Sequence, residues 1–222
     1  MEFMLAFVLG VGAAVAGYER IFSRSARIKR LLRRARAYTT ASFRHGVSGK
    51  LEGQVRYLGQ PLCAPLSGRP CSYYEAVIEA EAGSSWTPIA HEVRAQDFLL
   101  EDGTGLALVR MDNAEAVVPA DIQSRVGVFS EPSDEVIAFL RSQGIWRDRW
   151  YSDRQLRYRE GVIGEGQRVA ACGRASFEAN PHPRSAVGGY RDNASLLVLE
   201  GSRATPLYLS NDVALFRNSS RR

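Results

Sequence analysis

The sequence predicts an N-terminal transmembrane helix followed by a mainly β domain, a partly open, OB-like barrel with one inserted α-helix. Three observations predict it. Phe3 to Tyr18 is an uncharged apolar run. Several short segments after residue 47 alternate polar and apolar residues between turn-forming clusters. One stretch, beginning at Ser133, carries helical rather than strand periodicity.

Sixteen helical residues span roughly 24 Å, slightly less than a hydrocarbon core of about 30 Å. Ile21 and Phe22 extend the apolar surface past Glu19 and Arg20, whose long side chains can reach the headgroups. A cleaved signal peptide carries its positive charge before the apolar run. Here only Met1 and Glu2 precede it, and eight Lys or Arg residues follow between Arg20 and Arg36. The positive-inside rule then places the N-terminus outside and the main domain in the cytoplasm. Gly10 and Ala14, Gly12 and Ala16, and Ala13 and Gly17 have the small-residue spacing that lets helices approach, which leaves a homo-oligomer open. Gly10-Val11-Gly12 is no dinucleotide fingerprint, because no strand precedes it.

The net charge of +5 conceals a division. Residues 1–46 hold nine basic and two acidic residues, whereas residues 47–222 hold twenty basic and twenty-two acidic. The body is therefore no basic nucleic-acid surface, and no nucleic-acid partner is expected. From Arg24 to Ala37 the pattern is helical, with Ile28, Leu31, Leu32 and Ala35 on one stripe. Arg24, Arg27, Lys29, Arg30, Arg33, Arg34 and Arg36 form the candidate membrane-surface set. Either they lie on an anionic leaflet, or they serve as a topology determinant on a solvated linker. Residues 38–46 read as a connector.

The body reads as strands at Lys50 to Leu58, Cys71 to Glu81, Trp86 to Arg94, Asp97 to Glu101, Leu106 to Met111, Arg157 to Glu160, Arg168 to Ser176, Ser195 to Glu200 and Pro206 to Ser210. In the second of these, Tyr74, Ala76, Ile78 and Ala80 share one face and Tyr73, Glu75, Val77 and Glu79 the other, so at most one of the two tyrosines is expected in a core. Asp102-Gly103 between apolar runs is a hairpin signal. Ser133 is placed to cap a helix over Val136, Ile137, Phe139 and Leu140 that ends at Gly144. Gly161 to Gly166 reads as a turn and Asn180 to Gly189 as a loop.

The segment Pro61-Leu-Cys-Ala-Pro65-Leu-Ser67-Gly68-Arg69-Pro70-Cys71-Ser-Tyr73-Tyr74-Glu75 resembles the Pro-Leu-Ser-Gly-Arg-Pro-Cys-x-Tyr-Tyr segment of the GIDE, or beside-a-membrane, domain family. Phe98-Leu-Leu-Glu-Asp102-Gly-Thr104-Gly105 and Arg157-Tyr158-Arg-Glu160, continuing to Gly173, match its second and third segments in order. The resemblance implies a membrane-anchored domain of E3 ubiquitin-ligase type, related to a mitochondrial membrane-anchored ligase. That relative adds a second span and a RING, which needs about eight Cys and His ligands for two zinc ions. This chain has three Cys and three His and no second apolar span. The implied division is 1–22 anchor, 23–46 basic helix and linker, 47–215 GIDE-like domain and 216–222 tail.

The candidate interaction residues are Pro65, Ser67, Gly68, Arg69, Pro70, Cys71, Tyr73, Tyr74, Asp102, Gly105 and Glu160. Two prolines around Ser67-Gly68 fix a tight turn, and Arg69 calls for a carboxylate such as Asp102 or Glu160. Asp102, in the Gly-rich segment Asp102-Gly103-Thr104-Gly105, reads as a turn residue. No catalytic, cofactor or metal residue is expected. Cys63 and Cys71 lack zinc spacing, and Cys71 and Cys172 read as small buried hydrophobes. His45, His91 and His182 lie in no recognisable triad context. The expected function is a single-pass membrane-anchored binding domain for a membrane protein partner or lipid headgroup. An accessory role in a ubiquitin-ligase-like or proteolytic system is the alternative, and a small Cys-dependent hydrolase the third.

Overall fold

The computed structural model describes residues 24–128, 130–145, 154–179 and 195–216. No described helix is long and apolar enough to cross a membrane, and the predicted span lies outside the described residues. So do the loop over 180–189, with His182, and most of the C-terminal tail.

A helix α1 covers residues 24–34. Strands follow at β1 (Ala37–Tyr38), β2 (Ser48–Tyr57), β3 (Leu62–Cys63), β4 (Pro70–Cys71), β5 (Tyr73–Ala82), β6 (Ser85–Ala95), β7 (Phe98–Glu101), β8 (Leu106–Val109), β9 (Ala114–Ala116) and β10 (Ile122–Val126). Helix α2 (Asp134–Ser142) precedes β11 (Leu156–Ile163), β12 (Arg168–Ala179), β13 (Ser195–Glu200) and β14 (Leu207–Ser210), and a short 3-10 turn covers Val213–Leu215.

Five of these strands close into a barrel in the order β2-β7-β8-β13-β12 and back to β2. All neighbours are antiparallel except β8 and β13, which run parallel. This is a five-stranded OB-type arrangement. The expected partly open barrel is in fact closed. Closure uses two long strands that each change partner midway. β2 pairs with β12 through Ser48–Gln54 and with β7 from Gln54 to Tyr57. β12 pairs with β2 through Arg168–Arg174 and with β13 from Arg174 to Ala179.

A glycine sits at each change of partner. A Cβ on Gly53 would lie 2.7 Å from the carbonyl oxygen of Glu101, and one on Gly173 would lie 2.8 Å from that of Glu200. Only a residue without a side chain lets the backbones meet this closely at a barrel corner. Inside, Leu51, Val55, Phe98, Leu100, Val109, Val169, Leu199 and Leu209 form the core.

The insertions between barrel strands build a second, antiparallel sheet in the order β10-β11-β5-β6. Tyr74, Ala76, Ile78 and Ala80 of β5 face α2, which buries Val136, Phe139 and Leu140 against them, as their alternation predicts. Ser133 occupies the N-cap position of α2 but makes no capping side-chain hydrogen bond; Asp134 and Glu135 supply favourable first-turn charge. The opposite face of β5 enters the barrel at one end: Tyr73, with Ile163 of β11, belongs to the barrel core. Both tyrosines are thus buried, correcting the expectation of at most one, because β5 lies between two cores.

The N-terminal segment is part of the same body. Ile28 and Leu32 of α1 are fully buried against Ala170 and Leu215. β1 pairs with β2, and Phe43 of the expected connector sits in the barrel core. The stripe on α1 therefore covers the barrel rather than a bilayer, except for Leu31, which is exposed.

Replacing Gly53 or Gly173 by Ala is expected to cost about 1–3 kcal/mol in urea unfolding. Gly59→Ala, where nothing lies within 4 Å, should change stability by less than about 0.5 kcal/mol.

Candidate functional site

The motif residues gather around one buried carboxylate. Glu160 lies at a core-facing position of β11, with no exposed surface. It accepts the backbone N–H of Leu66 at 2.8 Å and the hydroxyl of Ser67. That hydroxyl in turn accepts from the Arg69 Nε at 3.1 Å. The turn Ala64–Arg69, closed by Gly68 N–H to Ala64 O and Ala64 N–H to Arg69 O, presents these groups to β11. Gly68 takes a φ of +67° within it.

The guanidinium of Arg69 makes its direct hydrogen bonds to a carboxylate outside the expected pair and keeps one of the expected two, Glu160, as a longer ion-pair partner. Its Nη1 and Nη2 bond both oxygens of Asp121 at 2.7 and 2.8 Å. Glu160 forms the longer ion pair, 3.9 Å from Nη2, as expected, and Asp102 takes no part. The hydrogen bond from Arg69 holds the Asp121 carboxyl below its ordinary value, against a smaller opposing effect of burial. Asp121 directly precedes β10, so the clasp joins the motif loop to two neighbouring strands. No local pattern marks Asp121 in the sequence. Glu160 shows in the sequence only as a candidate carboxylate for Arg69; its burial does not, because β11 runs on through Val162 and Ile163, residues expected in a turn, and so sets Glu160 between Tyr158 and Val162 on the core-facing side.

Asp102 performs the expected turn role and one more. Its carboxylate accepts the N–H groups of Thr104 and Gly105 within the β7–β8 hairpin, at 2.9 and 3.1 Å. It also takes the N–H of Thr40 at 2.6 Å, while Thr104 Oγ1 accepts from Ala41. Burial alone would raise the Asp102 carboxyl, but these N–H donors outweigh it and leave it below the ordinary value. The second motif thus fastens the chain after α1 to the barrel. Gly105 faces the side chain of Thr40, whose Cγ2 would lie 2.9 Å from an added Cβ.

The remaining motif groups are structural. Pro65 belongs to the clasp turn, and Pro70 O accepts from the Tyr57 hydroxyl at 2.8 Å. The Tyr74 hydroxyl meets Glu92 at 3.0 Å, and burial, with that carboxylate, pushes it up to about 12. Burial also raises Tyr73. The Cys71 thiol lies 3.8 Å from Leu62 O, and burial, reinforced by Glu160, pushes it up to about 11. Burial raises Cys172 as well. Both shifts run opposite to the lowering that activates a cysteine nucleophile. Cys63 is exposed. His91 pairs with Glu75 at 3.1 Å. No group of three or more His, Cys, Asp or Glu suited to a metal occurs among the described residues.

On α1, Arg24 pairs with Glu115 at 3.1 Å and Lys29 with Asp212 at 2.6 Å, and both bonds pin the helix to the barrel. The hydrogen bond from Lys29 depresses the Asp212 carboxyl. Arg27, Arg30, Arg33 and Arg34 are exposed; Arg33 stands near enough to Asp212 to help lower its carboxyl, and no salt bridge joins the other three to a carboxylate among the described residues. Arg36 lies 5.2 Å over the Tyr38 ring.

The GIDE family model, described as E3 ubiquitin ligase, matches residues 74–185, half of the chain. The chain belongs to the GIDE family. The matched region contains Asp102, Gly105 and Glu160 and begins at Tyr74, so the clasp turn lies just ahead of it. No curated protein and no solved structure matches the chain. In this GIDE domain the motif residues act on the fold: one set clasps the insertion sheet to its loop, the other ties the N-terminal segment to the barrel.

Glu160→Ala is expected to cost on the order of 3 kcal/mol, since it strands the Ser67 hydroxyl and the Leu66 N–H. Asp121→Asn should cost about 1 kcal/mol or less, because the Arg69 pair is partly solvated. Asp102 and Asp121 have lowered folded-state values, so their stabilisation is complete above the ordinary Asp value of about 3.9 and lost as pH falls through the folded-state value. Acid unfolding followed by circular dichroism should therefore show a shallower loss of stability below about pH 4 for Asp102→Asn and Asp121→Asn than for the unaltered protein.

Proposed function

We propose that this GIDE protein is a single-pass membrane-anchored binding domain whose barrel is held beside the bilayer, on the cytoplasmic side, where it engages a membrane protein partner or a lipid headgroup. The observation that carries this is the orientation of α1. Its apolar residues Ile28 and Leu32 are spent on the barrel, and Arg27, Arg30 and Arg34 are exposed and make no salt bridge among the described residues. A cationic helix face rigidly attached to a domain, directly after an uncharged run of sixteen residues, suits an anionic leaflet. Each such charge contributes about 1 kcal/mol near the surface. The small-residue spacings within the apolar run support a homo-oligomer of such anchors.

A second reading rests on the family description as E3 ubiquitin ligase: an accessory component of a ubiquitin-ligase-like or proteolytic system. With three Cys and three His in the sequence, the chain lacks the ligands for a RING of its own.

The full-length chain is expected to stay in the membrane fraction after high-salt and alkaline washing, and to leave it when residues 3–18 are deleted. Protease added to intact cells should spare the barrel. Recovery of the full chain in the soluble fraction would sink the anchor, and digestion of the barrel from outside would sink its sidedness. With E1, E2 and ubiquitin, the purified protein alone should form no ubiquitin conjugates.

A further inference from the structure

The second sheet carries a charged groove that neither the clasp nor α1 uses. At the end of the sheet away from Tyr73, the face that elsewhere packs into the barrel opens to solvent as a cavity of about 380 Å³. Arg125, Arg157, Arg159, Gln123 and Glu79 line it. The register sets these groups side by side: Arg125 pairs across the strands with Arg157, Gln123 with Arg159, and Arg157 with Glu79.

This arrangement carries unbalanced positive charge. Glu79 is almost fully buried and bonds Arg157 through both oxygens, at 2.6 and 3.0 Å, which offsets one guanidinium. Arg125 and Arg159 have no carboxylate partner among the described residues. Like charges directly opposite one another across two strands destabilise a sheet. Here they are held together rather than splayed apart: the guanidinium of Arg157 stacks on the Trp86 ring at 4.6 Å, and that of Arg125 lies over the same ring at 5.7 Å. An aromatic platform that fixes two guanidinium groups beside each other lowers the entropic cost of presenting them to one anion. The bidentate bond from buried Glu79 holds one of these two, Arg157, a second time. Planar guanidinium forks suit tetrahedral oxyanions. The volume falls in the range of small-ligand sites and exceeds what a bare phosphate ion fills.

We propose that this groove binds a phosphate monoester carried on a small polar group, with Arg125 and Arg159 holding the phosphate oxygens and Arg157, locked by Glu79 and Trp86, as the positioned third charge. A monoester brings about −1.5 to −2 charges at neutral pH, which matches the two uncompensated guanidinium groups. The ligand chemistry has two sources, a lipid headgroup or a free phosphate ester. The lipid source deepens the headgroup reading above and rests on it; the soluble source stands without it.

The test uses the full-length chain in non-ionic detergent, titrated calorimetrically with glycerol 3-phosphate, with short-chain phosphatidic acid and with short-chain phosphatidylglycerol, whose headgroup is a phosphodiester. Binding of phosphatidic acid well above both others assigns the lipid source. Equal binding of glycerol 3-phosphate and phosphatidic acid, both above the diester, assigns the free ester. In either case Arg125→Gln and Arg159→Gln should each weaken binding about tenfold, and Arg159→Lys should recover only part of the loss because the fork is gone. Far-ultraviolet circular dichroism of these surface variants should match the unaltered protein. No preference for monoester over diester, or monoester binding undiminished in the Arg125→Gln, Arg159→Gln double variant, overturns the proposal. Membrane fractionation of the same variants should be unchanged. A chain that proves soluble therefore refutes the anchor without touching the groove, and a groove that binds nothing leaves the anchor standing.

Discussion

Pairing between β2 and β12 is the constraint on which the rest of the structure depends. It joins Ser48–Gln54 to Arg168–Arg174, segments far apart in the chain, and it turns a curved sheet into a closed barrel. Closure demands that both strands change partner, and the change is made at Gly53 and Gly173, where backbone approaches backbone too closely for any side chain. Everything outside the barrel is built on this seam. β1 extends it beside β2, β14 lies along β12, and α1 covers Ala170 of β12. Residues that look like a tether in sequence become the outer coat of the seam.

The family motifs take on a physical meaning against this frame. Each spans a junction rather than a reaction centre. Ser67, Arg69, Glu160 and Asp121 lock the motif turn onto β11 and the start of β10, using a carboxylate with no exposure. A buried acid is costly unless its oxygens are occupied, and here Ser67 and Leu66 occupy them. Asp102 and Thr104 do the corresponding work for the chain that follows α1. Strong conformational requirements, rather than chemistry, account for these residue types in these positions. The free chemistry of the domain lies instead in its outward-facing arginines.

Local structure was largely legible in the residues. Asp102-Gly103 announces the β7–β8 hairpin because a tight turn is a property of a few neighbours. The alternation from Tyr74 to Ala80 identifies the face that meets α2. What failed to show is non-local. β9 and β10 escaped because Ala-Glu-Ala and Ile-Gln-Ser-Arg-Val offer little alternation, and they are ordered by partners supplied elsewhere. The burial of both Tyr73 and Tyr74 follows from β5 having a core on each side, which period-two reasoning on one strand does not reveal. The stripe on α1 was recognised, but amphipathicity does not say whether protein or lipid covers it; the barrel does. Asp121 as the partner of Arg69 was likewise set by the approach of β10 to the motif loop.

The seam also has a consequence for the chain while it is being made. Arg168 meets its ion-pair partner Glu52 across 116 residues. At about 5–20 residues per second, the ribosome exposes β2 for roughly 6–23 s before β12 has emerged to receive it. Through that interval a ten-residue strand stands with one edge open, and nearby nascent copies present the same edge. The closing of the barrel waits on β12, and so belongs to the last events in the birth of this protein.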